Sequence, residues 1–294
     1  MRRWGARAGA FLFALAIPAA RIVQAQASAY VPLDDIAYQY VDALASRGLL
    51  PSLSGLERPY TRRELDAAVD SARERVTSPV LVAWLDALSG TGRKYAVASD
   101  SDSSSVHARF SGDAYVTAQT SGRRELMLSD REKSVRPGIT LRMVMEGGPV
   151  AASIRGLIDN RLNVDPEFSG RKDRKIAGRM EDAYGGGQWK YGELTFGRLA
   201  RNWGPSPLTG LLLGNYSYTF DQLYTKVGSK AIHISSVIAR LDEIFPPSGP
   251  SVQRYLSVHR LALRHATWEV GASESFLYTG AGRGFEPTLS NPFN

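Results

Sequence analysis

The chain has no cysteine and only 4 histidines in 294 residues. The first absence excludes a disulfide-held scaffold, thiol catalysis and any zinc site built on thiolates. The histidines are His107, His233, His259 and His265. His259 and His265 would share one strand face but stand about 20 Å apart, too far to chelate one ion. HExxH, GxSxG and Walker sequences are also missing, so no metal, cofactor or nucleophile-elbow chemistry is expected. Gly280-Ala281-Gly282-Arg283-Gly284 is followed by Phe285-Glu286-Pro287 and not by a helical pattern, so it reads as a turn. Charge of one sign is not in large excess. The net charge is +7, but Arg2, Arg3, Arg7 and Arg21 supply four of those charges within residues 1–27, which contain no acid. The remaining +3 does not predict a nucleic-acid partner. No stretch beyond residue 27 approaches the roughly 18 apolar residues of a membrane-spanning helix.

What is present begins with an export signal. Arg2, Arg3 and Arg7 precede a short apolar run over 8–20, and Ala25-Gln26-Ala27 has the small residues of a cleavage site. Residues 1–27 are therefore read as a signal peptide. Residues 28–95 carry helical periodicity. Ile36, Tyr40, Val41 and Leu44 repeat at three and four, with Gly48 placed to end that helix. Thr61 and Glu64 have the spacing of a capping box, and Tyr60 can staple onto Leu65. Ser78-Pro79 opens a third short helix, ended by Gly90. Residues 96–105, rich in serine and aspartate, form a polar linker.

From residue 106 the period changes to two. Val106, Ala108, Phe110, Ala114 and Val116 alternate with Arg109, Asp113 and Tyr115. Ile139, Leu141 and Met143 oppose Arg142 and Glu146; Ile154 and Ile158 oppose Arg155, Asp159 and Arg161; Met180 opposes Arg179 and Glu181. Gly147-Gly148-Pro149 and Gly185-Gly186-Gly187 are read as turns between strands. The pattern predicts about nine antiparallel strands over 106–294, because the connections are too short for parallel crossovers.

Alternation does not say which face meets water. A soluble sandwich hides the apolar face, whereas an outer-membrane barrel turns it to lipid and lines its lumen with polar residues. Strands of ten to thirteen residues, apolar faces mixing small with large side chains, and polar faces of both signs favour the barrel. In that reading Arg109, Asp113, Arg142, Glu146, Arg155, Asp159, Arg161, Arg179 and Glu181 face the lumen. Glu274 would face lipid, which requires a bulge or a covering loop. Carboxylate pairs such as Asp242 with Glu243, or Glu269 with Glu274, suggest glycoside hydrolysis weakly; the second pair differs in parity and should point to opposite faces. No catalytic residue is predicted.

Arg198, Arg201 and Trp203 crowd one segment, and arginine beside an aromatic ring suits an acidic sugar. The segments GRLARNWGPSPLTGLLLGN (197–215), RLDE (240–243), RYLSVHRLALR (254–264) and WEVGASESFLYTGAGRGFEPTLSNPF (268–293) resemble the capsule assembly Wzi family. That resemblance implies a mainly β fold, an antiparallel outer-membrane β-barrel that is incomplete at about nine strands and is preceded by a small α-helical bundle. It implies a Gram-negative-type outer membrane, with the helical unit in the periplasm and outer-membrane lipid around the strands. It further implies non-catalytic association with capsular or exopolysaccharide, for which Arg198, Arg201, Trp203, Arg254, His259 and Arg260 are the candidate binding residues. A half barrel of this kind would have to pair with a second chain, close as a small barrel, or not function alone. A porin-like channel anchored to the cell wall and a secreted soluble glycan hydrolase stay open as alternatives.

Overall fold

The computed structural model describes residues 26–97, 105–118, 135–286 and 288, apart from 164, 166–167, 169, 172, 175, 206–209 and 215–217. Most of the expected signal peptide (1–27) and of the expected polar linker (96–105) lies outside the described residues. Three helices come first: α1 (Ala37–Ala45), α2 (Arg62–Arg73) and α3 (Pro79–Tyr95). Their apolar stripes meet in one core, in which Leu44, Leu65, Leu85 and Leu88 are fully buried. At the start of α2 the Glu64 amide donates to Thr61 Oγ1 at 3.3 Å, and the Thr61 amide donates to Glu64 Oε2 at 2.9 Å. Both orphan donors are thereby satisfied. Thr61→Ala is expected to lower stability by about 1 kcal/mol, measured by urea unfolding. An unchanged midpoint would show that the box contributes nothing. Helix α3 runs through Gly90 to Tyr95 instead of stopping at the glycine. A Cβ on Gly92 would lie 2.2 Å from Asp66 Oδ1, the end of a flexible side chain on α2.

The remainder is β structure. A two-residue ribbon pairs β1 (Glu57–Arg58) with β7 (Asn202–Trp203). Nine further strands form one sheet: β2 (His107–Ala118), β3 (Val135–Gly147), β4 (Val150–Asp159), β5 (Gly178–Trp189), β6 (Gly192–Arg198), β8 (Asp221–Gly228), β9 (Ile232–Ile244), β10 (Val252–His265) and β11 (Trp268–Ala281). Every neighbouring pair is antiparallel and adjacent along the chain, except where β7 intervenes between β6 and β8. Gly147 and Gly148 make the β3–β4 turn, with Gly148 at a φ of +51°. The second glycine cluster corrects the expected turn, because Gly185-Gly186-Gly187 lies inside β5. A Cβ on Gly186 would lie 2.5 Å from the Leu194 carbonyl oxygen, so the glycines permit close strand contact there.

The sheet is open. Among the described residues its order runs from β11 to β2 with no pairing between those two ends, which corrects the expected barrel. Closure requires the first and last strands to share a hydrogen-bond ladder, and local alternation contains no information about that distant pairing.

The two faces differ sharply. One carries Phe110, Leu141, Ile154, Phe196, Val227 and Val270, all exposed; Phe110 is 77% accessible. The other carries Arg142, Arg155, Asp182 and Glu146, all buried beneath the helical unit. Glu274 sits in β11 without a bulge and is exposed, so no covering loop excludes water from it.

Candidate functional site: the seam between helices and sheet

The segment before α1 lies across the sheet and is fixed by polar contacts that hydrophobic patterning does not reveal. The Ala29 amide donates to Glu146 Oε1 at 2.8 Å and the Tyr30 amide to Tyr184 Oη at 2.8 Å. The Tyr30 hydroxyl donates to Glu193 Oε2, also at 2.8 Å. Burial raises the pKa of both tyrosines, as neighbouring acids also do, so both remain neutral.

Glu57 in β1 is the most heavily engaged acid. His233 Nε2 lies 3.1 Å from both of its carboxylate oxygens, Arg260 Nε 2.9 Å from Oε1, and Lys226 Nζ 3.6 Å from Oε2. Burial alone would raise its pKa. The His233 hydrogen bond and the charges of Lys226, His233 and Arg260 outweigh that and pull it down to about 2. Close by, Glu269 accepts a 2.8 Å bond from Ser54 Oγ and lies 3.4 Å from Arg260 Nη2.

A second group lies under the other end of the helices. Arg155 Nε is 2.8 Å from Asp182 Oδ2, and its Nη1 donates to Asp34 at 2.7 Å. Arg142 stacks 4.5 Å from the Tyr95 ring centre and stands 3.7 Å from the same Asp182. Arg62 of α2 reaches Glu146 at 3.1 Å. Arg161 holds Asp159 at 2.8 Å, Arg179 holds Glu181 at 2.6 Å, and Tyr115 donates to Asp159 at 2.9 Å. Arg109 donates to the carbonyls of Arg93 and Ala96 at 2.7 and 2.9 Å, which stabilises the carboxyl end of α3. Asp113 is exposed on β2. Of the charges expected to line a lumen, Glu146 and Arg155 pair with Arg62 and Asp34 of the helical unit and Arg109 and Arg142 touch α3, whereas Asp159, Arg161, Arg179 and Glu181 pair among themselves.

The six expected sugar-binding residues do not form one open surface. Arg198 pairs with Asp221 at 3.2 Å near the surface, and Arg254 is half-buried near the start of β10. Arg201, Trp203 and Arg260 are buried on the face toward the helices, whereas His259 is buried on the opposite face, one residue from Arg260. Sequence reading passed over Glu57, Tyr30, Asp182 and Glu193. Each is an isolated polar residue whose partners lie far away in the chain.

Between the loop at 52–61, α2, and strands β5, β6 and β8 lies a cavity of about 520 Å³. Arg201, Lys226, Glu193, His233, Trp203 and Tyr224 contribute to its wall. Arg201 stacks 3.5 Å from the centre of the Tyr224 ring and donates Nε to Gln222 Oε1 at 2.8 Å. Among the described residues, no group of three or more His, Asp or Glu side chains is placed to hold a metal ion.

No protein-family model, no curated protein and no solved structure matches this chain. The resemblance to the capsule assembly Wzi family is therefore not supported, and the polysaccharide-associated function it implied goes with it. The outer-membrane location is corrected for the same reason, since it rested on that resemblance and on a closed barrel, and the sheet is open. A porin-like channel fails on the same open sheet. No helix among the described residues is long and apolar enough to cross a membrane.

Proposed function

We propose that the chain is a non-catalytic assembly module that extends its sheet with a strand from a second copy of itself. The supporting observation is the state of the end strands. β11 pairs with β10 over 14 consecutive residues and β2 with β3 over 12, with no bulge in either ladder. Neither end strand contains lysine or proline, and no described strand pairs with the outer edge of either. Monomeric proteins blunt long edges with such residues or with bulges, because bare N–H and C=O rows template further pairing. The adjoining apolar face, carrying Leu141, Phe196 and Val270, adds area that water disfavours.

β11 is the better self-partner. A two-fold antiparallel pairing centred on Ser275 sets Glu269 against Ala281 and Glu274 against Phe276, so no acid meets an acid. The same register keeps both apolar faces on one side. Val270→Lys combined with Leu277→Lys is expected to convert a dimer into a monomer in sedimentation velocity. The variant should retain its helical and strand circular dichroism, because both side chains are exposed. A wild-type chain that stays monomeric at every concentration, or that enters detergent micelles only as a monomer, would contradict the reading.

A further inference from the structure

We infer that the cavity between the helical unit and the sheet binds a small oxyanion, a carboxylate or phosphate group held by Arg201 with Lys226 beside it. Arg201 is only 3% exposed and forms no ion pair with a described carboxylate, although the buried Glu193 attracts it. Its Nε is bonded to Gln222, but Nη2 has no hydrogen-bond partner. Tyr224 and Tyr30 offer ring faces at 3.5 and 5.3 Å, which partly offset the buried charge without supplying an acceptor for Nη2. A buried, incompletely bonded cation is costly, and a guanidinium is shaped to take an oxyanion.

The surrounding charge has the matching sign. Arg58, Lys190, Arg201, Lys226, Lys230 and Arg264 line the cavity, against Glu57, Glu64 and Glu193; of the cations, Arg58 is paired with Asp42 and Arg264 donates to the Pro51 carbonyl. Glu57 is already occupied by His233, Arg260 and Lys226, and Glu64 by the amide of Thr61. Glu193 accepts from Tyr30, and its burial disfavours ionisation, so it opposes an incoming anion weakly. Lys226 stands 3.6 Å from Glu57 with 27% of its side chain accessible, leaving it a charge to share. At about 520 Å³ the cavity has room for more than a single ion, and Trp189, Trp203 and Tyr60 give it apolar walls. An organic anion therefore fits it better than inorganic phosphate.

The test is titration calorimetry on the full chain with inorganic phosphate, citrate and benzoate at fixed ionic strength, alongside thermal unfolding. Saturable binding with a Kd of about 1 mM or tighter is expected for at least one of the three. Selective binding of benzoate or citrate would identify an organic anion, and equal binding of phosphate a simple oxyanion. Lys226→Gln should weaken binding about tenfold. Arg201→Met should abolish it while leaving the ligand-free protein about as stable as wild type, because the change also removes an incompletely bonded charge. A purely structural arginine predicts the reverse, marked destabilisation with no anion dependence in the wild type. Should Arg201→Met not fold, the wild type and Lys226→Gln decide the matter. Absence of saturable binding in the wild type, or binding unchanged by Lys226→Gln, would overturn the site.

Discussion

Glu57→Gln is expected to lower the unfolding free energy by about 3–5 kcal/mol, the usual cost of removing one partner from a buried ion-pair cluster. The amide would leave Arg260, His233 and Lys226 gathered around a neutral group, with the helical unit held to β9 and β10 by fewer contacts. The same carboxylate makes the protein sensitive to acid. Its pKa falls from 4.5 in the open chain to about 2 in the folded state. The group therefore stabilises the fold fully above pH 4.5, and that stabilisation is lost as the pH drops from there toward 2. A shift of this size corresponds to about 3 kcal/mol. Urea unfolding at a series of pH values checks both parts. Wild type should lose this increment on acidification, and Glu57→Gln should have a correspondingly flatter acid limb. Parallel limbs would mean that the cluster is not formed.

Asp182→Ala should be comparably damaging, again by about 3–5 kcal/mol. Asp182 is 2% exposed and lies between Arg155 at 2.8 Å and Arg142 at 3.7 Å, so its removal leaves two buried guanidiniums facing each other. Arg155 retains Asp34, which tempers the loss. The sharper expectation concerns the pair. Arg155→Met in the Asp182→Ala background should restore part of the lost stability, since it removes the orphaned charge and keeps apolar volume. Denaturant unfolding of the four proteins in this cycle gives the coupling directly. Strict additivity would show that Asp182 and Arg155 act independently despite their contact.

The acids at the centre of both predictions, Glu57 and Asp182, are not singled out by the sequence, and the reason is geometric. Thr61 and Glu64 are three apart, so their capping box is visible as a local pattern, as is the alternation that divides Phe110 from Arg109 and Ile154 from Arg155. Glu57 is different. Its partners Lys226, His233 and Arg260 come from distant strands, and only the completed sheet brings them together. The two-residue strands β1 and β7 are too short to leave a periodic signal, yet their pairing places Glu57 opposite Trp203. Gly186 in β5 does not make a turn because the neighbouring strand approaches its backbone closely, a contact that no local pattern contains. Closure was the largest error. Alternation assigns faces, but whether β2 meets β11 is a property of the whole sheet.

The charges also clarify what the helical unit does. Ion pairs and buried hydrogen bonds join the helical unit to one face of β3 to β10, while much of the opposite face, from Phe110 to Val270, is exposed. The unpaired edge of β11 beside this exposed apolar face is suited to association with a second copy.

Amide hydrogen exchange along β11, followed over a dilution series, tests this most directly. Self-pairing predicts that amides of Trp268–Ala281 are as slow to exchange as those of the central strand β9 at high concentration, and that dilution releases β11 alone. Fast exchange of the outward amides of β11 at every concentration, in a protein that sediments as a monomer, would contradict it.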